Sequence, residues 1–422
     1  MRMKFNRTGQ LLLVSAASLL AASLVTACGT LTVDFVFVTS SKAAGTNNYG
    51  EVDVFEINSE SGFMRQIPTS PFPSGGRNPV AEALSADNTT LYVVNRDDSS
   101  IVQFAIGNDG KVYPQNTLDT TGDVAHPGAA GIFPVAATVA GTNLFELNTY
   151  QPLPTCTPAS PCSGSVGVYP IATTGALGAA VANGSISYWP LSLSGKSSGD
   201  VILPTGVAVL ASGADLYVSA YDTTASSGYV FGFTIGSGGV LSAIPGSPWA
   251  VGTHPSALVG DPGSKYLYVT DFANGNVYSY SLSSSGALTQ VGSYHSGNQP
   301  SAIAVDPTAN WIYIANSQDS TIVAAATTNG VLSDIGKMSV IGPTGTTTTV
   351  TVQATQSTGL QPVAIGIDPS HHHFLFTADF LGSTVSGFEV GADGTLIGSQ
   401  NSPYTANAQP TAAVAIPHNG SN

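Results

Sequence analysis

Residues 254–291 read HPSALVGDPGSKYLYVTDFANGNVYSYSLSSSGALTQV, and the same unit recurs along the chain. Residues 299–335 read QPSAIAVDPTANWIYIANSQDSTIVAAATTNGVLSDI, and residues 361–399 read QPVAIGIDPSHHHFLFTADFLGSTVSGFEVGADGTLIGS. Each copy opens with a proline, continues with short apolar runs, and ends with a glycine that precedes another hydrophobic residue. A unit of roughly 40–50 residues that repeats indicates a propeller or a related repeat architecture.

Seven copies can be aligned by their opening prolines and by an aromatic residue in the second apolar run. We predict that the copies begin at Pro79, Pro127, Pro204, Pro255, Pro300, Pro362 and Pro410. The aromatic residues are Phe37, Tyr92, Phe145, Tyr217, Tyr268, Tyr313 and Phe376. Each unit divides into four short strands, which we call A to D. Four-stranded units that occur seven times predict an all-β fold, the seven-bladed β-propeller.

The two ends of the chain predict how the ring closes. The last copy stops after QPTAAVAIP (409–417), which is a strand A alone, whereas the first copy starts at VDFVFVTS (33–40), which is a strand B. We therefore expect residues 412–416 to pair with residues 35–38. Such closure removes the exposed strand edges of an open sheet.

Composition and charge agree with an all-β fold and exclude one class of partner. Only 9% of the 422 residues are charged, and 47 are glycine and 26 proline, which favours short strands and tight turns over helices. The formal net charge is −14. A surface this acidic repels a phosphate backbone, so we expect no nucleic-acid partner.

The N-terminus is predicted to be a targeting segment. Basic residues precede an apolar run at 11–22 that is too short to span a bilayer. The next residues, LVTAC (24–28), resemble a bacterial lipobox, in which Cys28 is acylated and anchors the mature chain to a membrane. The alternative is an ordinary signal peptide followed by an unrelated cysteine. Cleavage would leave eight basic and 25 acidic residues, a formal charge of −17.

These features predict a domain organisation and a location. We expect a signal peptide at 1–27, an acylated tether at 28–32, the propeller at 33–417 and a tail at 418–422. The protein would be a membrane-anchored lipoprotein outside the cytoplasm, at the outer membrane or in the periplasm of a Gram-negative cell. Cys156 and Cys162 lie close together in a Pro-rich loop, and outside the cytoplasm such a pair is expected to form a disulfide.

Long loops are predicted to cluster on one face of the disc. B–C and D–A connections leave a propeller on the face opposite to the A–B and C–D turns, and the long segments here are 40–50, 148–164, 178–203, 221–228 and 336–361. All five are B–C or D–A connections, so this loop face is the expected functional face. The run His371–His373 falls in an A–B turn instead, where side chains diverge. We therefore expect no metal site there and no cofactor.

Several of these runs resemble the lactonase-type, or YVTN-repeat, seven-bladed propellers. They are LYVVN (91–95), LYVTD (267–271), IYIAN (312–316) and GSPW (246–249). The family includes 6-phosphogluconolactonases, and the resemblance implies a catalytic histidine after a strand-A proline, an arginine in a GPRH run and a glutamate after YVVN. At the position after these prolines, where the family has its histidine, this chain has Val80, Gly128, Thr205, Ser256, Ser301, Val363 and Thr411. Strand B ends with Asn or Asp in five copies, and at the next position, where the family has its glutamate, this chain has Arg96, Thr149, Phe272, Ser317 and Phe380.

Four residues remain as candidates for catalysis. Glu82 lies in strand A, where other copies have leucine or isoleucine, and could be a buried general base; the alternative is a carboxylate paired with Arg77 or Arg96. Those two arginines could bind a substrate, and His254, which precedes a strand-A proline, could act as an acid or base, as could His126.

Two functions follow from this pattern. The departures from the family's catalytic set favour a monomeric binding or scaffolding module that holds a protein or glycan on its loop face. The alternative is a divergent lactone hydrolase of the 6-phosphogluconolactonase type that works at the mouth of the channel through Glu82, Arg77, Arg96 and His254.

Overall fold

The computed structural model describes residues 32–42, 48–58, 61–122, 128–157, 159–193, 201–341, 347–368 and 374–417. They form seven antiparallel sheets, each with the strand order A–B–C–D, which confirms the predicted seven-bladed propeller. None of the helical structure in these ranges is long and apolar enough to cross a bilayer. Cys28, His126 and His371–His373 lie outside the described residues.

Strand A is the innermost strand of each blade, and each strand A contacts the strand A of the next blade around the ring. From blade 1 to blade 7 these strands are Gln409–Pro417, Pro79–Leu84, Ile132–Ala140, Ile202–Val209, Pro255–Gly260, Pro300–Val305 and Pro362–Ile367. The B strands, in the same order, are Thr32–Ser41, Thr90–Asn95, Asn143–Tyr150, Asp215–Asp222, Tyr266–Asp271, Trp311–Asn316 and Phe374–Asp379.

The outer strands complete each blade. The C strands are Glu51–Asn58, Ser100–Ile106, Ser165–Pro170, Ser227–Ile235, Asn276–Leu282, Thr321–Thr328 and Thr384–Val390. The D strands are Met64–Gln66 with Phe72–Pro73, Val112–Asp119, Trp189–Pro190, Leu241–Ala243 with Trp249–Ala250, Leu288–His295, Val331–Asp334 with Ala354–Ser357, and Leu396–Gly398 with Tyr404–Thr405. A 3-10 turn at Ser237–Gly239 precedes strand D of blade 4, and a two-stranded hairpin, Gly336–Ile341 with Thr347–Val352, interrupts that of blade 6.

The ring closes as the sequence predicts. Strand Gln409–Pro417 pairs antiparallel with Thr32–Ser41, with Ile416 opposite Phe35 and Ala413 opposite Val38. The N-terminal and C-terminal parts of the chain therefore share blade 1, which leaves no open edge between the first and last blades.

Blade 3 differs from the prediction in two places. Its strand A begins at Ile132, and Pro134 pairs with Asn148 as Pro79 pairs with Asn95, so the prediction that this copy begins at Pro127 was wrong. The residue after the blade-3 proline is therefore Val135. Its strand D is also reduced: Leu177 forms a single bridge with Ile171, as Leu241 pairs with Ile235 in blade 4, and residues 178–188 form turns before Trp189–Pro190 pairs with strand C.

The core lies between the blades. All seven strand-B aromatics are almost completely buried, because each fills the junction between its own sheet and a neighbouring sheet. Hydroxyl groups after the strand-A proline also link neighbouring blades. Ser256 Oγ donates to the carbonyl of Pro300 at 2.5 Å, and Ser301 Oγ donates to the carbonyl of Pro362 at 2.6 Å. The position at which the family resemblance implies a catalytic histidine thus holds structural hydroxyls in these two blades.

Candidate functional site

The mouth of the channel on the loop face is built from two backbone positions in each blade. One is the residue before the strand-A proline, and the other is the first residue after the strand-B Asn/Asp column. Backbone hydrogen bonds join the two positions, from Arg96 N to the Asn78 carbonyl at 3.0 Å and from Phe272 N to the His254 carbonyl at 2.8 Å. Since strand A is innermost, side chains at these positions surround the opening of the channel.

Aromatic side chains occupy these positions, and positions next to them, in blades 3 to 5, and Arg96 occupies one of them in blade 2. The Arg96 guanidinium carbon lies 5.6 Å from the centre of the Phe133 ring, and Phe133 meets Tyr150 edge-on at 6.2 Å. Farther round the ring, the His254 imidazole lies 4.0 Å from Tyr221 and 5.6 Å from Phe272, measured between ring centres. We call these six residues, Arg96, Phe133, Tyr150, Tyr221, His254 and Phe272, the rim arc.

The two halves of the rim arc lie on neighbouring blades, since Tyr150 ends strand B of blade 3 and Tyr221 lies near the end of strand B of blade 4. Burial raises the pKa of the Tyr221 hydroxyl, and Tyr150 adds to this rise. The arc thus offers flat apolar rings with one cation and one imidazole among them. This arrangement suits a compact ring-shaped ligand that has both apolar faces and a polar group.

His254 is the rim-arc residue best suited to proton transfer. Its backbone N–H donates to Asp271 Oδ1 at 3.0 Å, and the adjacent Thr253 N–H donates to Oδ2 at the same distance, so one carboxylate fixes the turn. Burial lowers the imidazole pKa below its ordinary value of 6.5, while the negative charge of Asp271 opposes this shift. Neither ring nitrogen forms a hydrogen bond with any residue that the structure describes, so a neutral imidazole is free to accept a proton.

The two candidate arginines have different environments. Arg77 is engaged by Asp98, with Nε donating to Oδ1 at 2.6 Å and the backbone N–H to Oδ2 at 2.7 Å. Arg96 lies 3.7 Å from Asp97 and stacks over Phe133, and its side chain is 41% exposed. Arg96 therefore keeps more of its charge available to a ligand than Arg77 does.

Glu82 lies deeper, at the junction between blades 1 and 2. Among the seven innermost strands, all fully described, it is the only ionisable side chain. The backbones of Val414 and Thr39 lie against its carboxylate, but neither oxygen makes a hydrogen bond of normal geometry with the described protein. Burial raises the pKa of this carboxyl group well above its ordinary value, because an apolar environment disfavours the charged form.

The four predicted candidates are thus distributed rather than assembled. Within the described ranges, no hydrogen bond, ion pair or ring contact joins Glu82 to Arg77, Arg96 or His254. Arg77 and Arg96 are neighbours through Asp97, whose backbone carbonyl accepts from Arg77 and whose carboxylate lies beside Arg96. Only Arg96 and His254 belong to the rim arc.

The other buried glutamate among the described residues, Glu146, was not predicted from the sequence. It lies in strand B of blade 3 and is completely buried where blades 2 and 3 meet. Asn148 Nδ2 donates to its Oε2 at 2.9 Å and the Tyr169 hydroxyl donates to the same oxygen at 3.3 Å. Burial raises its pKa to about 7, against these two hydrogen bonds, which lower it. The equivalent positions in blades 2, 4 and 5 hold Val93, Val218 and Val269, and this comparison could have revealed it.

Two further predictions concern cysteines and metals. Cys156 and Cys162 form a disulfide with their Cα atoms 5.3 Å apart, as predicted. In the part of the chain that the structure describes, no group of three or more His, Cys, Asp or Glu side chains is arranged to hold a metal ion.

Comparisons with known proteins agree with the fold. Residues 215–341 match the model of the family described as lactonase, 7-bladed beta-propeller. The periplasmic gluconolactonase of Pseudomonas aeruginosa is 16% identical with a TM-score of 0.67, over 91% of this chain and 99% of that one. A candidate 6-phosphogluconolactonase from Bacteroides fragilis is 19% identical with a TM-score of 0.69, over 92% and 99%. No curated protein matches the sequence. The resemblance predicted from the LYVVN-type runs is confirmed, and the structural likeness shows a shared fold.

Proposed function

We propose that this chain, whose residues 215–341 match the lactonase propeller family, hydrolyses an uncharged lactone at the rim arc. The observation that carries the proposal is the half-buried His254, which lies against two aromatic rings with both ring nitrogens free of any described partner. This proposal develops the enzymatic alternative from the sequence and replaces binding alone as the leading function.

The proposed chemistry uses two rim-arc residues. Neutral His254 removes a proton from a water molecule while the water oxygen attacks the lactone carbonyl carbon. The Arg96 guanidinium, at the other end of the rim arc, binds a hydroxyl group of the same substrate and orients it. The ring C–O bond then breaks, and the imidazolium returns its proton to the leaving alkoxide, so that lactone and water become a hydroxy acid.

The charges near the mouth favour a substrate without a phosphate group. A phosphate is usually bound by arginine in a bidentate geometry, and Arg77 already donates to Asp98. The net charge of −14 opposes the approach of an anion as well. An uncharged sugar lactone is therefore the substrate class that fits best. The name of the Pseudomonas aeruginosa protein, a periplasmic gluconolactonase, is consistent with that class.

The location we propose is outside the cytoplasm, with the chain anchored through an acylated Cys28. The disulfide between Cys156 and Cys162 supports an oxidising compartment. Changing Cys28 to alanine would move the protein from the membrane fraction to the soluble fraction after cell lysis. If that variant stayed in the membrane fraction, the lipid anchor would be refuted.

The activity can be tested with the purified chain from Gly29 onward. Hydrolysis of glucono-1,5-lactone would be followed by pH-stat titration, with the spontaneous rate subtracted. His254→Gln is expected to lower kcat by about 100-fold or more, because it removes the general base. Arg96→Gln is expected to raise KM more than it lowers kcat, because it removes a contact that binds the substrate. His295→Gln is the matched control, since His295 lies on an outer strand and contacts Asn276.

One observation keeps a binding function as the second candidate. Glu82, Arg77, Arg96 and His254 do not converge through any contact among the described residues, and a lactonase built from all four would need them in one pocket. Wild-type rates equal to the spontaneous rate over a panel of sugar and aliphatic lactones would eliminate hydrolysis of those substrates. The loop face would then be tested as a binding surface for a protein or glycan.

A further inference from the structure

The turns on the face opposite the rim arc follow a packing rule. The residue two positions before the strand-B aromatic lies against the glycine in the C–D turn of the next blade. In four junctions this residue is aromatic, and a Cβ on the glycine would collide with the ring. The four pairs are Phe35 with Gly110, Tyr266 with Gly330, Trp311 with Gly394, and Phe374 with Gly62.

Three of the seven junctions lack the aromatic ring: Thr90 in blade 2, Asn143 in blade 3 and Asp215 in blade 4 occupy its position. The junction between blades 2 and 3 is one of these. Thr90 stands where those four junctions have an aromatic ring, and it lies against Gly175. Beside it is a cleft of about 210 Å³ between the A–B turns of blades 2 and 3 and the C–D turn of blade 3. The space that a ring fills elsewhere is thus partly open here. We call it the junction cleft.

The junction cleft carries free polar groups. Asp87 Oδ1 accepts from Ser85 Oγ at 2.6 Å and from Thr89 Oγ1 at 2.8 Å, which fixes the carboxylate. Its Oδ2 accepts no hydrogen bond from the described residues, nor do the hydroxyls of Thr142 and Thr173 make one. Ile171 and Ala172 supply an apolar wall.

Hydrogen bonds hold the walls of the junction cleft in place. The buried Tyr92 hydroxyl donates to the Gly175 carbonyl at 2.7 Å, and Gln103 Nε2 donates to the Thr174 carbonyl at 3.2 Å. Both donors belong to blade 2 and both acceptors to the C–D turn of blade 3. A cleft with fixed walls loses little entropy when a ligand binds.

We propose that the junction cleft binds a single uncharged sugar ring, on the face opposite the proposed lactonase site. The volume is below the roughly 300 Å³ at which pockets for drug-sized ligands begin, which suits one ring. Hydroxyls of a sugar can donate to Asp87 Oδ2 and exchange hydrogen bonds with Thr142 and Thr173, while the C–H groups pack on Ile171. The Asp87 carboxylate opposes an anionic ligand.

The test is a saturation-transfer NMR titration of the purified chain with D-glucose, D-galactose and D-mannose. We expect at least one of them to bind with a Kd in the range of about 1–10 mM, since few contacts are made. Thr90→Phe introduces the ring that four of the other junctions have and should weaken binding about tenfold or more. Asp87→Ala, an exposed change that spares the core, should weaken it by a similar factor.

The control is Asn143→Phe, the same change at the equivalent residue of the next junction, where Asn143 lies against Gly239. It should leave sugar binding unchanged. Equal binding by wild type, Thr90→Phe and Asp87→Ala would overturn the proposal, and so would the absence of binding by all three sugars at about 100 mM. Lactone hydrolysis should be the same in wild type and Thr90→Phe, so this site and the proposed catalytic site can fail independently.

Discussion

Replacing Glu146 with glutamine should make the protein more stable at pH 8 and leave its stability unchanged at pH 4. Below pH 4.5 the carboxyl group is neutral in the folded and the unfolded chain. Between pH 4.5 and about 7 only the unfolded chain loses this proton, because burial raises the pKa of the folded-state group to about 7. Rising pH therefore favours unfolding across this window.

The size of the effect follows from the width of the window. A pKa that rises from 4.5 to about 7 corresponds to about 3 kcal/mol of stability lost above pH 7. A glutamine at this position cannot ionise, and its amide oxygen can still accept from Asn148 and Tyr169. The variant should therefore gain most of that free energy relative to the wild type at pH 8.

The assay is urea unfolding of wild type and Glu146→Gln at several pH values between 4 and 8, followed by tryptophan fluorescence. The difference in unfolding free energy should grow from near zero to about 3 kcal/mol as pH rises. Glu389→Gln is the control, because Glu389 is exposed to water in the folded chain. A difference that is the same at pH 4 and pH 8 would refute the argument that burial holds Glu146 neutral.

Three further predictions concern stability and catalysis. Glu82→Leu introduces the residue that blade 5 has at Leu258. We expect a higher melting temperature at pH 8, because the variant has no carboxyl group whose charge burial disfavours. A loss of lactone hydrolysis in this variant would instead assign Glu82 to catalysis. Ser301→Ala removes a bond between blades and should lower the unfolding free energy by about 1 kcal/mol, whereas Ser333→Ala, at an exposed position, should not. As the pH is lowered, the rate of lactone hydrolysis should fall with a midpoint below pH 6.5, because burial lowers the pKa of His254. A midpoint above pH 6.5 would contradict the proposed role of His254 as the base.

The repeat made most of the fold predictable from sequence, because each blade supports the interpretation of the others. Blade 3 shows the limit of this approach. Its strand A has Phe133-Pro134 in place of the Gln-Pro or His-Pro start of blades 5 to 7, whereas His126-Pro127 has that pattern. The choice of Pro127 could not be corrected by hydrophobicity, since apolar residues follow both prolines. The pairing of Pro134 with Asn148 identifies the right proline, and pairing depends on the folded chain.

The candidate site was less predictable, because it is formed by contacts between blades. His254 and Arg96 could be selected as residue types, but the ring of Tyr221 beside His254 and the ring of Phe133 beside Arg96 come from neighbouring repeats. Sequence spacing does not show which side chains share a junction. Glu146 was detectable in principle, because a glutamate in a column of valines is a departure that alignment alone reveals.

The departures from the repeat are concentrated in blades 2 and 3, and this location bears on function. The segment that matches the lactonase model, residues 215–341, begins in blade 4 and ends in blade 6. Glu82, Glu146 and Thr90 all lie outside it. When the pH is above the usual pKa of a glutamate, a carboxyl group buried without its charge lowers the stability of the folded chain. A missing aromatic ring leaves a cleft unfilled, so neither feature improves packing. The segment that matches the family model therefore excludes these three residues. Mutation in blades 2 and 3, from the Arg96 end of the rim arc to the junction cleft, tests whether they determine the properties of this protein.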